Sequence, residues 1–281
     1  MCGFDSSGVW AWRLPSQFQH PGPLRIDRLP NTISIGPGDS LLMAATGIRP
    51  PGDAIRHGAE VANLESIALS RILGFDVAVA QVDIAAPGTR TIPDSHRLPN
   101  ASAKRQREFH AGRLAAADAL RRLGAHDTHV PVGAQRAPVW PDGFVGSITH
   151  DDDVAIAAAV RVGTVTGIGI DIEQADRFSA GLAERIGSGS EFRLWQGGAG
   201  RSITHGDIAL FSFKESIFKC LHGAVGRYFD FRDVEVYDTA VGLRVRAVAD
   251  DWRLAELLPR LRGDVCQVAG RVLSACVLLE R

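Results

Sequence analysis

Four short segments of the chain combine residue types that bind metal ions and phosphates. In Gly167-Ile168-Gly169-Ile170-Asp171-Ile172-Glu173, the period of a strand puts the isoleucines on one face and the glycines and acids on the other. The isoleucine face requires a core. The opposite face offers two glycines, where a ligand can approach the backbone, then two carboxylates about 7 Å apart along the strand. Paired hard-oxygen ligands beside open space suit Mg²⁺, which keeps several waters and takes phosphate oxygens from a substrate. The competing interpretation is an edge strand with two solvated acids.

In Phe211-Ser212-Phe213-Lys214-Glu215-Ser216-Ile217-Phe218-Lys219, helical spacing aligns Phe211, Glu215 and Lys219 on one face. It turns Phe213, Ile217 and Leu221 towards a core. Glu215 and Lys219 are then either a surface ion pair, worth about 0.3–0.5 kcal/mol, or a third metal carboxylate with a lysine one turn away to neutralise phosphate. Gly146-Ser147-Ile148-Thr149-His150 ends a strand just before an acidic turn, and its histidine either caps the strand or contacts a phosphate. Arg113 lies in Phe109-His110-Ala111-Gly112-Arg113. On a basic helix it is either solvated or, with Gly112 admitting a close neighbour, part of a binding site.

The elements that must position these residues follow from periodicity and punctuation. A helix is predicted over 60–73 with Gly74 as its stop, and a strand over 75–84. A second helix over 101–123 has Phe109, Gly112, Ala116, Leu120 and Leu123 as its apolar stripe and ends at Gly124. Lys104, Arg105, Arg107, Arg113, Arg121 and Arg122 make it strongly basic. Strands are predicted over 144–149, 154–160 and 166–173, helices over 175–186 and 205–221, and strands over 228–237, 241–248 and 265–279. Strands and helices interleave without regular βαβ spacing, so the fold class is α+β.

Composition sets the bounds. The chain has 281 residues, 45% apolar and 22% charged, with a formal charge of -1, which is ordinary for a globular protein. That charge gives no global attraction to nucleic acid or an acidic membrane, so an anion site has to be a local cluster. No run reaches the roughly 20 apolar residues of a membrane span, and the N-terminus lacks the basic start and apolar core of a secretory signal. Four cysteines without a CxxC pair are read as reduced thiols, which places the chain in the cytoplasm. The first 55 residues hold seven of the fourteen prolines and are read as an irregular extension. Met43 is the only methionine after Met1, so a start at Met43 is an alternative for the native chain.

In this order and spacing the four segments resemble the phosphopantetheinyl transferase superfamily, in its Sfp-like branch that includes the enterobactin synthetase D components. The resemblance rests on residues 109–120, Pro138-Val139-Trp140-Pro141, Gly146 to His150, Gly169 to Glu173, and Phe211 to Lys219. It implies a two-lobed, pseudo-symmetric α+β fold with coenzyme A bound between the lobes. The extension would be 1–55, the N-terminal lobe 56–162 and the C-terminal lobe 163–281, the last carrying the metal site. Asp171, Glu173 and Glu215 match ligands of Mg²⁺, for which Mn²⁺ can substitute. Lys214 and Lys219 match lysines near the pyrophosphate, and Arg113 and His150 match contacts to coenzyme A phosphates. Arg105, on the same basic helix, joins that set, as does Arg136, where related sequences carry a basic residue.

The implied reaction is attack of a carrier-protein serine on the coenzyme A pyrophosphate, with release of 3′,5′-ADP. Glu215 would take the serine proton and Lys219 would offset charge on the leaving side. Ser147, Ser212 and Ser216 would not be nucleophiles. The implied partners are apo carrier proteins, peptidyl by preference and aryl or acyl otherwise, with no nucleic acid, no membrane and a monomeric enzyme. Asp151-Asp152-Asp153 departs from the Ser or Cys that usually follows the histidine, and an acidic run beside a phosphate pocket is unfavourable unless it points away. The glycine-rich stretch 188–200 is read as a mobile loop near the carrier-docking surface. A catalytically silent coenzyme A or carrier binder is the rival reading, opposed by the intact set Asp171, Glu173, Glu215 and Lys219. A nucleotide phosphotransferase would need a glycine-rich GxxxxGK[ST] loop, which the sequence lacks.

Overall fold

The computed structural model describes residues 2–4, 10–12, 64–74, 76–85, 98–177, 185–196, 203–204, 206–239, 242–248 and 250–281. The expectations for 13–63, and most of the helix expected over 175–186, lie outside these residues. Within the first 55 residues, β1 (Cys2–Phe4) pairs antiparallel with β2 (Trp10–Trp12). Regular structure there was not expected, and the aromatic residues favour a strand in spite of the surrounding glycine and proline.

Two three-stranded antiparallel sheets form the body. The first has the order β3-β5-β4, from β3 (Ala78–Asp83), β4 (Phe144–His150) and β5 (Val154–Arg161). The second has the order β6-β10-β9, from β6 (Val165–Gln174), β9 (Leu261–Val268) and β10 (Arg271–Leu279). One helix lies on each: α2 (Ala103–Arg122) on the first and α4 (Gly206–Val225) on the second. The other helices are α1 (Leu64–Leu73), α3 (Gly189–Gln196) and α5 (Trp252–Leu257), and β7 (Val234–Thr239) and β8 (Gly242–Ala247) form a hairpin. This is an α+β fold of small antiparallel sheets packed with helices.

Three layers of core explain the alternation of the strands. Ile168, Ile170 and Ile172 of β6 pack into a core between the sheets that also contains Leu69 and Leu73 of α1, Ile156 of β5 and Leu273 of β10. Phe213, Ile217 and Leu221 of α4 are buried in a second core on the far side of β6 and β10. The alanines of α2 and β5 make the third. Ser102 caps α2, its hydroxyl accepting the N–H of Arg105 at 3.2 Å, and Gly124 (φ +69°) ends it, as the turn chemistry predicts.

Three expectations for the elements fail. The strand expected over 265–279 is a hairpin, reversed at Ala269 and Gly270 (φ 51° and 77°), a pair of left-handed residues that suits a tight hairpin turn. The stretch 188–200, expected as a mobile loop, contains α3, because Phe192, Leu194 and Trp195 provide an apolar face that packs on the α4 core. The tail also contains α5, capped by Asp251, whose carboxylate accepts the N–H groups of Arg253 and Leu254.

Candidate active site

The site lies on the seam where the edge strands β4 and β6 meet. An edge strand carries unpaired N–H groups that need partners, and here two side chains of β4 provide them. The N–H of Ile170 donates to Ser147 Oγ at 3.1 Å, and that of Ile172 to Thr149 Oγ1 at 3.3 Å. The Thr149 hydroxyl in turn donates to Asp171 Oδ1 at 3.1 Å. Because side chains alternate along a strand, Ser147 and Thr149 face β6, while Gly146, Ile148 and His150 face α2.

On the β6 side the charges are acidic. Asp171 is only 3% exposed. The Lys219 ammonium, on α4, donates to Asp171 Oδ1 at 2.6 Å and to the carbonyl of Ile170 at 3.2 Å, and lies 3.4 Å from Thr149 Oγ1. Asp171 Oδ2 is buried and without a hydrogen-bond partner among the described residues. Burial, followed by the charges of Asp171 and Glu215, pushes the Glu173 carboxyl well above the usual carboxylate range. Burial disfavours the Lys219 ammonium, but Asp171, Glu215 and Glu173 outweigh it and hold its pKa above the ordinary value.

These features fit a cation. Three carboxylates share one neighbourhood, one buried oxygen is unsatisfied, and burial together with the acidic neighbours pushes the Glu173 carboxyl up, a crowding that a divalent ion would relieve. Their oxygens do not converge as they stand. No group of three or more His, Cys, Asp or Glu among the described residues is arranged to hold a metal, and the Lys219 ammonium occupies the position beside Asp171 that a cation would take.

On the α2 side the charges are basic. Arg105 Nη1 lies 2.7 Å from His150 Nε2, and His150 Nδ1 lies 3.3 Å from the carbonyl of Asp151. A neutral imidazole protonated at Nδ1 satisfies both contacts. Burial, then the adjacent Arg105 charge, lowers the His150 pKa. Glu108, almost buried, accepts from Arg105 at 3.2 Å. Arg113 lies two turns from Arg105 with its guanidinium over the Phe109 ring at 4.6 Å. It is 8% exposed, its Nε has no partner among the described residues, and burial together with Arg105 brings its pKa down to about 10. Two crowded cations beside a neutral histidine are suited to an anion.

Several sequence expectations change. The glycines of β6 do not open the strand to a ligand. They admit α4: a Cβ on Gly169 would stand 1.9 Å from the carbonyl oxygen of Ser216, and one on Gly167 2.8 Å from that of Cys220. Lys214 does not reach the phosphate side. It is 1% exposed and spends its three donors on Glu191 Oε1 (2.7 Å) and the carbonyls of Phe231 and Val234 (2.9 Å each). Its spacing from Leu210, Ile217 and Leu221, at −4, +3 and +7, puts it on the buried face of α4. Arg136 is exposed on the 3₁₀ turn Ala134–Arg136 at φ 63°.

The acidic run beside His150 is neutralised rather than aimed at the site. Asp152 pairs with Lys104 at 2.7 Å and with Arg177, and Asp151 and Asp153 pair with Arg271 at 2.6 and 2.9 Å. Thr149, Glu108 and Arg271 were not singled out beforehand. The alternation of β4 could have pointed to Thr149. Arg271 is more than a hundred residues from its partners in sequence, and no local pattern announces it.

Comparison with known proteins covers both halves. Residues 94–160 match the family described as 4'-phosphopantetheinyl transferase N-terminal domain, and residues 167–259 match the 4'-phosphopantetheinyl transferase superfamily. The chain is 32% identical over 211 residues to the 4'-phosphopantetheinyl transferase PptT of Mycobacterium tuberculosis, covering 72% of this chain and 92% of that protein. It is 37% identical over 145 residues to the 4'-phosphopantetheinyl transferase Svp of Streptomyces mobaraensis, covering 51% of this chain and 58% of Svp. It is 37% identical over 139 residues to the enterobactin synthase component D of Salmonella typhimurium, covering 48% of this chain and 56% of that protein.

Proposed function

This chain belongs to the 4'-phosphopantetheinyl transferase superfamily, and we propose that it moves the 4′-phosphopantetheine group of coenzyme A onto a serine of an apo carrier protein, releasing 3′,5′-ADP. The observation that carries the reading is the seam itself. Thr149 and His150 are consecutive on β4, yet Thr149 touches Asp171 and Lys219 while His150 touches Arg105. A cation-seeking cluster and an anion-seeking cluster are therefore reached from consecutive residues of one strand, with the Lys219 charge acting on His150, which supports binding of a pyrophosphate together with a divalent counter-ion.

In this mechanism the carrier serine oxygen attacks the β-phosphorus of coenzyme A, the bond to the bridging oxygen breaks, and the electron pair leaves on 3′,5′-ADP. Arg105, Arg113 and His150 hold the nucleotide phosphates. Glu215, directly or through a water, takes the serine proton. Lys219 offsets the charge that develops on the leaving phosphate. Asp171, Glu173 and Glu215 would hold Mg²⁺ or Mn²⁺, which when bound supplies Lewis-acid stabilisation of the pyrophosphate oxygens. Arg136 is kept as a further contact to coenzyme A. Lys214 is left out of the mechanism.

The carriers proposed are peptidyl or aryl carriers of a siderophore-type synthetase, a choice supported by the similarity to enterobactin synthase component D. No helix among the described residues is long and apolar enough to cross a membrane. A monomeric enzyme acting in the cytoplasm is proposed with it. Mass spectrometry of a panel of apo carriers incubated with this protein, coenzyme A and Mg²⁺ tests the reading. A mass gain of one phosphopantetheine group on at least one carrier is expected, and no gain on acyl, aryl or peptidyl carriers with folded protein overturns it.

A further inference from the structure

Arg271 opens β10 directly after the hairpin turn, and its guanidinium joins three carboxylates. Nε donates to Asp151 Oδ2 at 2.6 Å, Nη1 to Glu65 Oε1 of α1 at 3.0 Å, and Nη2 to Asp153 Oδ2 at 2.9 Å. The Asp151 and Glu65 side chains are nearly buried, so Arg271 is what makes their charge tolerable there. The other oxygen of Asp151 is also committed. Oδ1 accepts the N–H groups of Asp153 at 2.8 Å and Val154 at 2.9 Å, and the Asp151 N–H returns to the Val154 carbonyl at 3.0 Å. The turn between β4 and β5 is thereby fixed through one carboxylate, and that carboxylate through one arginine.

His150 is the residue before this turn. Its Nδ1 faces the Asp151 carbonyl and its Nε2 faces Arg105, so the ring orientation depends on where the turn holds that carbonyl. The middle acid of the run works from the other side: Asp152 binds Lys104, the neighbour of Arg105 on α2, and Arg177 beyond β6. The acids that replace the usual Ser or Cys are in this way parts of a brace around the histidine.

We propose that Arg271, through Asp151, is a positioning residue for the coenzyme A phosphate contacts of His150, although its own guanidinium lies on the acidic turn and on α1. This rests on the transferase reading above, and the experiment separates the two. Calorimetry first measures coenzyme A binding to the unmutated protein; absence of binding there counts against the transferase reading, whereas the Arg271 proposal is judged by the variants and by the histidine signals.

Arg271→Gln and Asp151→Asn are compared, the second keeping the turn's acceptor while removing the charge that Arg271 reads. In the folded fraction of each, the KM for coenzyme A is expected to rise about tenfold, with the KM for the carrier and kcat within about twofold. Arg271→Lys, keeping one charge, is expected to recover part of the loss. In ligand-free protein the ring ¹⁵N signals of His150 are expected to move in both variants, a readout that needs no coenzyme A. A lower Tm with unchanged coenzyme A KM and unmoved His150 signals would make the contact purely structural and overturn the proposal. An equal rise in KM for both substrates would overturn it too.

Discussion

Helix α2 lies on the first sheet as α4 lies on the second, and each brings a charged stripe to the seam between β4 and β6. The balance of charge differs in sign, basic beside α2 and, once the acids of β6 are included, acidic beside α4. From α2 come Arg105 and Arg113, one against His150 and the other buried over Phe109. From α4 come Glu215 and Lys219, set against Asp171 and Glu173. The closeness of approach differs as well. Gly169 faces α4 backbone, with no room for a Cβ, whereas Gly112 of α2 faces the tip of the Ile148 side chain, 3.0 Å from where its Cβ would be. Similar scaffolds thus gather cations on one side and acids on the other, and the helix approaches its strand more closely on the acidic side.

The largest expected effect comes from breaking the acidic side. Asp171→Asn keeps the size of the side chain and its bonds to Thr149 while removing the charge. Turnover is expected to fall on the order of 10³-fold, the several kcal/mol that a metal-held transition state represents. The Tm is expected to change little, since relief of the repulsion with Glu173 offsets loss of the ion pair with Lys219. A folded Asp171→Asn with near-normal turnover at ordinary Mg²⁺ would remove the acidic cluster from the chemistry.

The two lysines of α4 sharpen the comparison within one helix. Lys214→Met leaves Glu191, 2% exposed, as a buried charge without its cation, which typically costs about 3–5 kcal/mol. At 2–4 °C per kcal/mol, Tm should drop by roughly 6–20 °C while the folded fraction keeps its kcat. Lys219→Met also strands a buried acid, Asp171, 3% exposed, so Tm should fall as well; the difference is that its folded fraction should lose kcat about 10²-fold with coenzyme A affinity little changed. Thermal melts together with steady-state kinetics decide the pair. A Lys214 variant that stays stable but loses turnover would return that residue to the site.

Those lysines also show what was legible in the sequence. Gly169 to Glu173 and Phe211 to Lys219 named the acids and the helix because strand and helix periods are local. The isoleucine and phenylalanine faces found their cores for the same reason. Lys214 was placed near the pyrophosphate by the resemblance, whereas its spacing puts it on the buried face of α4, where it binds Glu191. The role of the β6 glycines depended on which element would cover them, a tertiary fact. The pairing of Arg271 with the acidic run could not be read, since it spans α1, a turn and β10.

On the basic side a smaller loss is expected. Arg113→Ala removes a charge-assisted contact worth roughly 1.5–3 kcal/mol. Coenzyme A should therefore bind about tenfold or more weakly by calorimetry, and an analogue lacking the 3′-phosphate should lose less. Equal losses for the two ligands would move Arg113 to another phosphate.

The smallest effect tests the difference in packing. Gly112→Ala inserts a methyl group into the middle of α2, where alanine is favoured over glycine by about 0.8–1 kcal/mol. Against that gain stands a contact of 3.0 Å to Ile148 Cγ2, tighter than a methyl pair prefers at roughly 3.5–4 Å. The partner atom is the end of a side chain on β4, which can give by a few tenths of an ångström. Gain and cost then nearly cancel, and stability by denaturant unfolding is expected to stay within about 1 kcal/mol of the unmutated protein. Ile148 is two residues before His150 on the same face, so the shift should appear as a small change in coenzyme A KM at constant kcat. A loss of several kcal/mol would show that α2 is held against β4 as tightly as α4 is against β6, and the contrast between the two sides would fail.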